Sequence, residues 1–130
     1  MTIFSKIITG EIPSYKVAEN SDFYAFLDIN PLVKGHVLVV PKKEIDYIFG
    51  LDDKTLGDLM IFSKRVALAM EKAIPCKRIG VTVIGLEVPH AHIHLIPISQ
   101  ESDMYFSKPK VKLPPEEFTK IAAAIAGCFE

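Results

Sequence analysis

At 130 residues, with 49% hydrophobic and 24% charged residues, the chain has the make-up of one ordinary globular domain spanning residues 1–130. A formal net charge of −1, from 15 Lys and Arg against 16 Asp and Glu, leaves no broad basic surface for nucleic acid. No apolar run reaches the roughly 18 residues of a membrane span and no charged-then-apolar leader opens the chain; with Cys76 and Cys128 lacking any framework spacing, reduced thiols in a cytoplasmic setting are the expectation.

Thr2 is placed to cap a short helix over residues 3–9, ended by Gly10, with Ile3, Phe4, Ile7 and Ile8 at helical spacing. Residues 13–18 and 22–29 read as two strands around a turn at Asn20-Ser21. Asn30-Pro31 and Lys34-Gly35 mark a loop before the strand-like run Gly35-His36-Val37-Leu38-Val39-Val40-Pro41. Leu51-Asp52-Asp53 opens the longest helix, with carboxylates at the positive end of its dipole and Pro75 as its stop. Leu56, Leu59, Met60, Ala67 and Met70 are expected to form its apolar stripe. Residues 78–84 predict a fourth strand, and a turn near Gly85-Leu86-Glu87 predicts a hairpin into a fifth.

Residues 99–113 lack periodicity; a loop of that length often has a function or covers something, a solvated basic loop being the plainer expectation. Pro114-Pro115-Glu116-Glu117 starts a last helix with Phe118, Ile121, Ala122 and Ile125 on one face. The sum is an α+β protein: about five antiparallel strands with one long central helix and a C-terminal helix packed on the sheet.

The fifth strand carries the chemistry. In Pro89-His90-Ala91-His92-Ile93-His94-Leu95-Ile96-Pro97, strand alternation puts His90, His92 and His94 on one face and Ala91, Ile93 and Leu95 on the other. The fourth histidine, His36, stands in the neighbouring strand-like run. Packing gains nothing from a row of half-polar rings, and burying them costs free energy unless each finds a partner. A structural zinc needs four ligands, and neither cysteine has a partner at the usual spacing; a catalytic three-histidine zinc stays open on spacing alone. A nucleophilic imidazole is the other possibility, since a neutral ring with a reference pKa of about 6.5 is competent near neutrality. Asp28 lies at the end of an apolar strand, and a turn aspartate before Asn30-Pro31 is the plain alternative to a site carboxylate.

The histidine run does not stand alone. Ile3-Phe4-Ser5-Lys6-Ile7, Gly10-Glu11-Ile12-Pro13, Ala25-Phe26-Leu27-Asp28-Ile29-Asn30-Pro31 and Gly35-His36 precede it in order. Over roughly residues 1–98 this set resembles the histidine triad (HIT) family of nucleotide hydrolases and transferases, in its Hint-like branch. The resemblance implies that His92 is a nucleophile forming a transient nucleotidyl-histidine, that His94 and His90 contact phosphate or orient His92, and that His36 supports the array. It also implies that Asp28 accepts hydrogen bonds from ribose hydroxyls and that Ile3, Phe4, Ile7, Ile12 and Phe26 enclose a purine base. No cofactor and no metal enter that scheme, and relatives of this kind form homodimers.

The chain departs from the family pattern where relatives carry an Asn-containing, glycine-rich segment before Gly-Gln-x-Val. Here Val83-Ile84 runs directly into Gly85-Leu86-Glu87-Val88. Gly85 still has a backbone N–H to offer a phosphate oxygen. Glu87 stands where many relatives have a hydroxyl, so its carboxylate points away, binds an amine-bearing leaving group, or acts protonated as an acid. Ile98 stands where an arginine is common. Ser5 and Glu44 replace a cysteine and a histidine of the zinc site found in some relatives, so no structural zinc is expected. The activity implied is hydrolysis of purine nucleoside monophosphate conjugates, phosphoramidate or phosphoanhydride. Dinucleoside polyphosphate cleavage and a non-catalytic nucleotide-binding module are the alternatives.

Overall fold

Side-chain alternation splits this molecule into two packing layers on either side of one sheet. A computed structural model describes residues 1–130. The strands are β1 (Lys16–Glu19), β2 (Phe23–Leu27), β3 (Val37–Pro41), β4 (Arg78–Thr82) and β5 (Ile93–Ile98). All neighbours are antiparallel, in the order β1-β2-β3-β5-β4. Register sets Leu38 on β3 and Thr82 on β4 beside His94 on β5.

Ala25, Leu27, Val37, Val39, Ile93 and Leu95 point to the face covered by two helices, α2 (Asp53–Ala73) and α3 (Pro115–Cys128). Fully burying one such aliphatic side chain contributes about 1.5–3 kcal/mol, so this larger cluster holds the sheet to the helices. Tyr24, Phe26, Leu38 and Val40 face the other way and pack with Phe4 and Ile7 of α1 (Ile3–Ile8). β2 and β3 are therefore buried on both faces.

The helix ends follow local chemistry. Thr2 caps α1 by accepting the Ser5 N–H, and Asp52 caps α2 by accepting that of Thr55. Ile74 leaves α2 in an extended conformation, as a residue before proline must. Pro115 opens α3 in its first turn, where a missing N–H costs nothing, and Glu116 and Glu117 sit at the positive end of the dipole. At Gly35 φ is +93°, and a Cβ there would strike Ile74 Cδ1; the loop before His36 closes on the end of α2 only because the residue is glycine.

Three expectations need correction. β5 begins at Ile93, so His90 and His92 precede the strand, the chain there being held by Ala91 N–H to the Ile45 carbonyl. β4 ends at Thr82, and β4 and β5 are joined by the connection 83–92 instead of a tight hairpin turn, although the two strands do pair antiparallel. The buried face of α2 is Leu59, Phe62, Ser63, Val66, Ala69 and Met70, whereas Met60 is 47% exposed. That helix is apolar on two faces, and Met60 belongs to the outer one. A 3₁₀ turn at Ile48–Gly50 was not anticipated. No helix is long and apolar enough to cross a membrane.

Candidate active site

His36 is fixed before any ligand arrives. Its ring is buried, and Nδ1 accepts the Leu32 backbone N–H at 3.0 Å. An accepting Nδ1 leaves the hydrogen of the neutral ring on Nε2. That nitrogen lies 2.9 Å from His94 Nδ1, so His36 donates and His94 accepts. The hydrogen of His94 is then on its own Nε2, which no protein group occupies.

His92 has the opposite polarity. Its Nδ1 lies 2.7 Å from the His90 carbonyl, which only accepts, so Nδ1 carries the hydrogen and Nε2 presents a lone pair. The rings of His92 and His94 are 4.9 Å apart, edge to face. An acceptor and a donor thus stand side by side. His90, fully buried, donates from Nε2 to the Pro41 carbonyl at 2.8 Å, and its Nδ1 lies 2.8 Å from Thr2 Oγ1. With both nitrogens taken, His90 has none to offer a phosphate and is left the orienting role.

Burial favours the neutral ring at His36, His92 and His94. It pushes the His36 pKa down to about 3, with the neighbouring His94 and Lys110 acting in the same direction. Burial and then His92 push His94 to about 4. His92 is also lowered by burial, opposed by its bond to the His90 carbonyl and by the charge of Glu87. Asp28 is raised from the ordinary carboxylate value, again chiefly by burial.

Asp28 serves the turn and also reaches the array. Oδ1 accepts the Asn30 N–H at 2.9 Å, while Oδ2 lies 3.7 Å from His36 Nε2. Asp28, His36 and His94 bring ligand-type atoms within 4.8 Å of one another. His36 Nε2 spends its hydrogen on His94 Nδ1, and both His90 nitrogens are bonded, so in this arrangement neither ring offers a lone pair toward a metal ion. Ser5 and Glu44 are hydrogen-bonded to each other, and a hydroxyl with a committed carboxylate is not the thiolate and imidazole set that structural zinc takes.

The remaining expected residues divide. Phe4, Ile7 and Phe26 form one apolar wall with Ile12 and Val88 against it, and Phe4 stands edge-on to His92 at 5.0 Å. Ile3, on the same helix, is half exposed. Gly85, with φ +72°, shares with His92 the lining of a groove of about 900 Å³ between α2, β4 and residues 46–49. Glu87 is exposed, and its charge raises the pKa of both His92 and Asp28. Two groups escaped sequence reasoning. Phe106 packs edge-on against His94 at 5.0 Å and His36 at 6.2 Å, covering their hydrogen bond. Its only sequence signal is the long loop 99–113, tied to the Asp28 turn by Val111 N–H to the Pro31 carbonyl. Thr2, expected only as a helix cap, is the other.

Sheet and site define an α+β protein whose centre is a string of neutral imidazoles. Residues 9–101 match the HIT domain family. The adenosine 5'-monophosphoramidase HNT1 of Saccharomyces cerevisiae is 41% identical over 100 residues, 76% of this chain and 63% of the yeast protein. Adenosine 5'-monophosphoramidase hnt1 of Schizosaccharomyces pombe is 34% identical over 130 residues, 95% of each chain. Among solved structures, a Hit-like protein involved in cell-cycle regulation from Bartonella henselae superposes with a TM-score of 0.84 at 32% identity, covering 98% of this chain and 96% of that one. The chain belongs to the HIT family.

Proposed function

We propose that the protein hydrolyses conjugates of purine nucleoside monophosphates, phosphoramidate or phosphoanhydride, through a nucleotidyl intermediate on His92. The observation that carries this reading is the bond from His92 Nδ1–H to the His90 carbonyl at 2.7 Å, which leaves a neutral ring with its Nε2 lone pair free. That lone pair attacks phosphorus as the P–N or P–O bond to the leaving group breaks and the leaving group takes up a proton. Water then attacks the same phosphorus, releasing the nucleoside monophosphate and restoring the ring. His94 Nε2–H donates to a phosphate oxygen, His36 keeps it a donor, and Asp28 receives the ribose hydroxyls. Phe4, Ile7, Ile12 and Phe26 take the base, with Ile3 at its edge, and Gly85 and Glu87 lie on the leaving-group side. The phosphoramidase names of the two yeast relatives support the substrate class.

The test is AMP release from adenosine 5'-phosphoramidate, run beside a dinucleoside polyphosphate to separate the two substrate types. The wild type is expected to release AMP from the phosphoramidate, and His92→Ala to lose at least about 10³-fold in turnover. Equal turnover by that variant eliminates the covalent scheme. Tight AMP binding without turnover of either substrate marks a non-catalytic module instead. We further infer a homodimer, because β4 presents a free edge beside exposed Met60, Ile61, Val81 and Val83.

A further inference from the structure

A chain of side-chain hydrogen bonds ties the first turn of α1 to the histidine segment 88 residues away in sequence. Thr2 Oγ1 accepts the Ser5 N–H at 3.0 Å as the helix cap and lies 2.8 Å from His90 Nδ1. His90 Nε2–H is already given to the Pro41 carbonyl, so Nδ1 accepts, and the single Thr2 hydroxyl hydrogen goes to it at 2.8 Å over the more distant Ser5 Oγ at 3.2 Å. Behind Thr2 stands Glu44, just past β3. Its Oε1 accepts the Thr2 N–H at 2.9 Å and the Ser5 hydroxyl at 2.5 Å. Those bonds, Ser5 first and Thr2 second, hold the Glu44 carboxyl below its usual range.

On the other side of His90, its backbone carbonyl is the acceptor that sets the His92 tautomer. A His90 ring pinned at both nitrogens fixes where that carbonyl points. Phe4, two residues after Thr2, packs edge-on against His90 at 5.8 Å and His92 at 5.0 Å. The helix on the base side and the ring with the free lone pair are therefore joined through one small polar assembly.

We propose that Thr2, Ser5 and Glu44 form a joint that positions the His92 ring through His90, so that seating a nucleobase against α1 and aligning the nucleophile are one event. Its consequence for turnover rests on the hydrolase reading, whereas the ring geometry does not. None of the three touches the reacting atoms; they are positioning residues.

The test uses the full chain and nitrogen-15 NMR of the imidazoles, with and without AMP, beside turnover of adenosine 5'-phosphoramidate. Thr2→Val keeps the side-chain shape and removes the donor. It is expected to shift the His90 and His92 ring signals and to lower kcat roughly tenfold while changing KM less than about twofold. Thr2→Ser restores both readouts, and Glu44→Gln moves them in the same direction as Thr2→Val. Thr2→Asp retains a capping acceptor but holds no hydrogen for His90; wild-type behaviour there means that only the cap matters and overturns the joint. Unchanged His92 signals in Thr2→Val overturn it as well, whatever the turnover. A wild type that releases no AMP, with ring signals that still move in Thr2→Val, refutes the hydrolase reading and leaves the joint standing.

Discussion

Which ring nitrogen is already occupied decides what each histidine here is able to do. Leu32 N–H takes His36 Nδ1, His36 then serves His94, and the string ends on a hydrogen at His94 Nε2. The His90 carbonyl reverses the order for His92, which ends on a lone pair. Four identical side chains thus come to differ in what they present: His36 relays, His94 offers a hydrogen, His92 a lone pair, and His90 has both nitrogens bonded. The pH dependence follows from the same bonds. In the proposed mechanism attack requires neutral His92, whose pKa burial lowers, so kcat/KM is expected to be flat at neutral pH and to fall on an acid limb centred below about 6.5. His36 and His94, at about 3 and about 4, stay neutral through that window. Glu87 favours protonated His92; Glu87→Gln removes that charge and moves the limb to still lower pH. Kinetics across the acid range check both, and a limb centred above 6.5, or one that rises in Glu87→Gln, contradicts the assignment.

Among the elements, those built by local rules were legible and those built by distant contacts were not. Alternation put Ala91, Ile93 and Leu95 in one core and the histidines on the other side, and it did so even though β5 starts only at Ile93. The cap at Thr2, the carboxylates that open α2 and its end before Pro75 were readable for the same local reasons. Periodicity could not distinguish a helix face that is covered from one left open, which is why Met60 was misplaced. Nor could it find Phe106 over His94, or Thr2 beside His90, because only tertiary folding brings them together. Gly35 belongs to the legible kind, and its role can be measured. Gly35→Ala places a Cβ at φ +93°, a conformation L side chains rarely adopt, while the tip of Ile74 can move aside, so it should destabilise the fold by about 1–2 kcal/mol and lower Tm by roughly 5 °C. Gly57→Ala, exposed on α2 with nothing within 4 Å of the new Cβ, should stabilise by about 0.5–1 kcal/mol. Calorimetry of the pair tests whether the constraint lies in the turn before His36; similar Tm values for the two would show that it does not.

Across the whole molecule the two edges of the sheet are treated differently. Beside β1, α3 packs against the sheet, and Phe118 stacks on Tyr15 at 5.1 Å. β4 has no neighbour on its outer side. Val81 on that strand is 46% exposed, as are the outer apolar residues Met60, Ile61 and Leu68 of α2, at 47%, 63% and 47%. An open strand edge beside an apolar helix face invites association, and in a closed two-fold arrangement the same patch meets itself, pairing edge with edge and helix with helix. Such a contact satisfies the free backbone groups of β4 and removes the second face of α2 from water in one step. Sedimentation equilibrium is therefore expected to give twice the chain mass at micromolar concentration. Met60→Glu combined with Val81→Glu brings like charges together across the seam and should give the mass of one chain, with the far-UV dichroism of the fold retained. A wild type that sediments as a single chain refutes the dimer, and a double variant that stays paired places the contact on another surface.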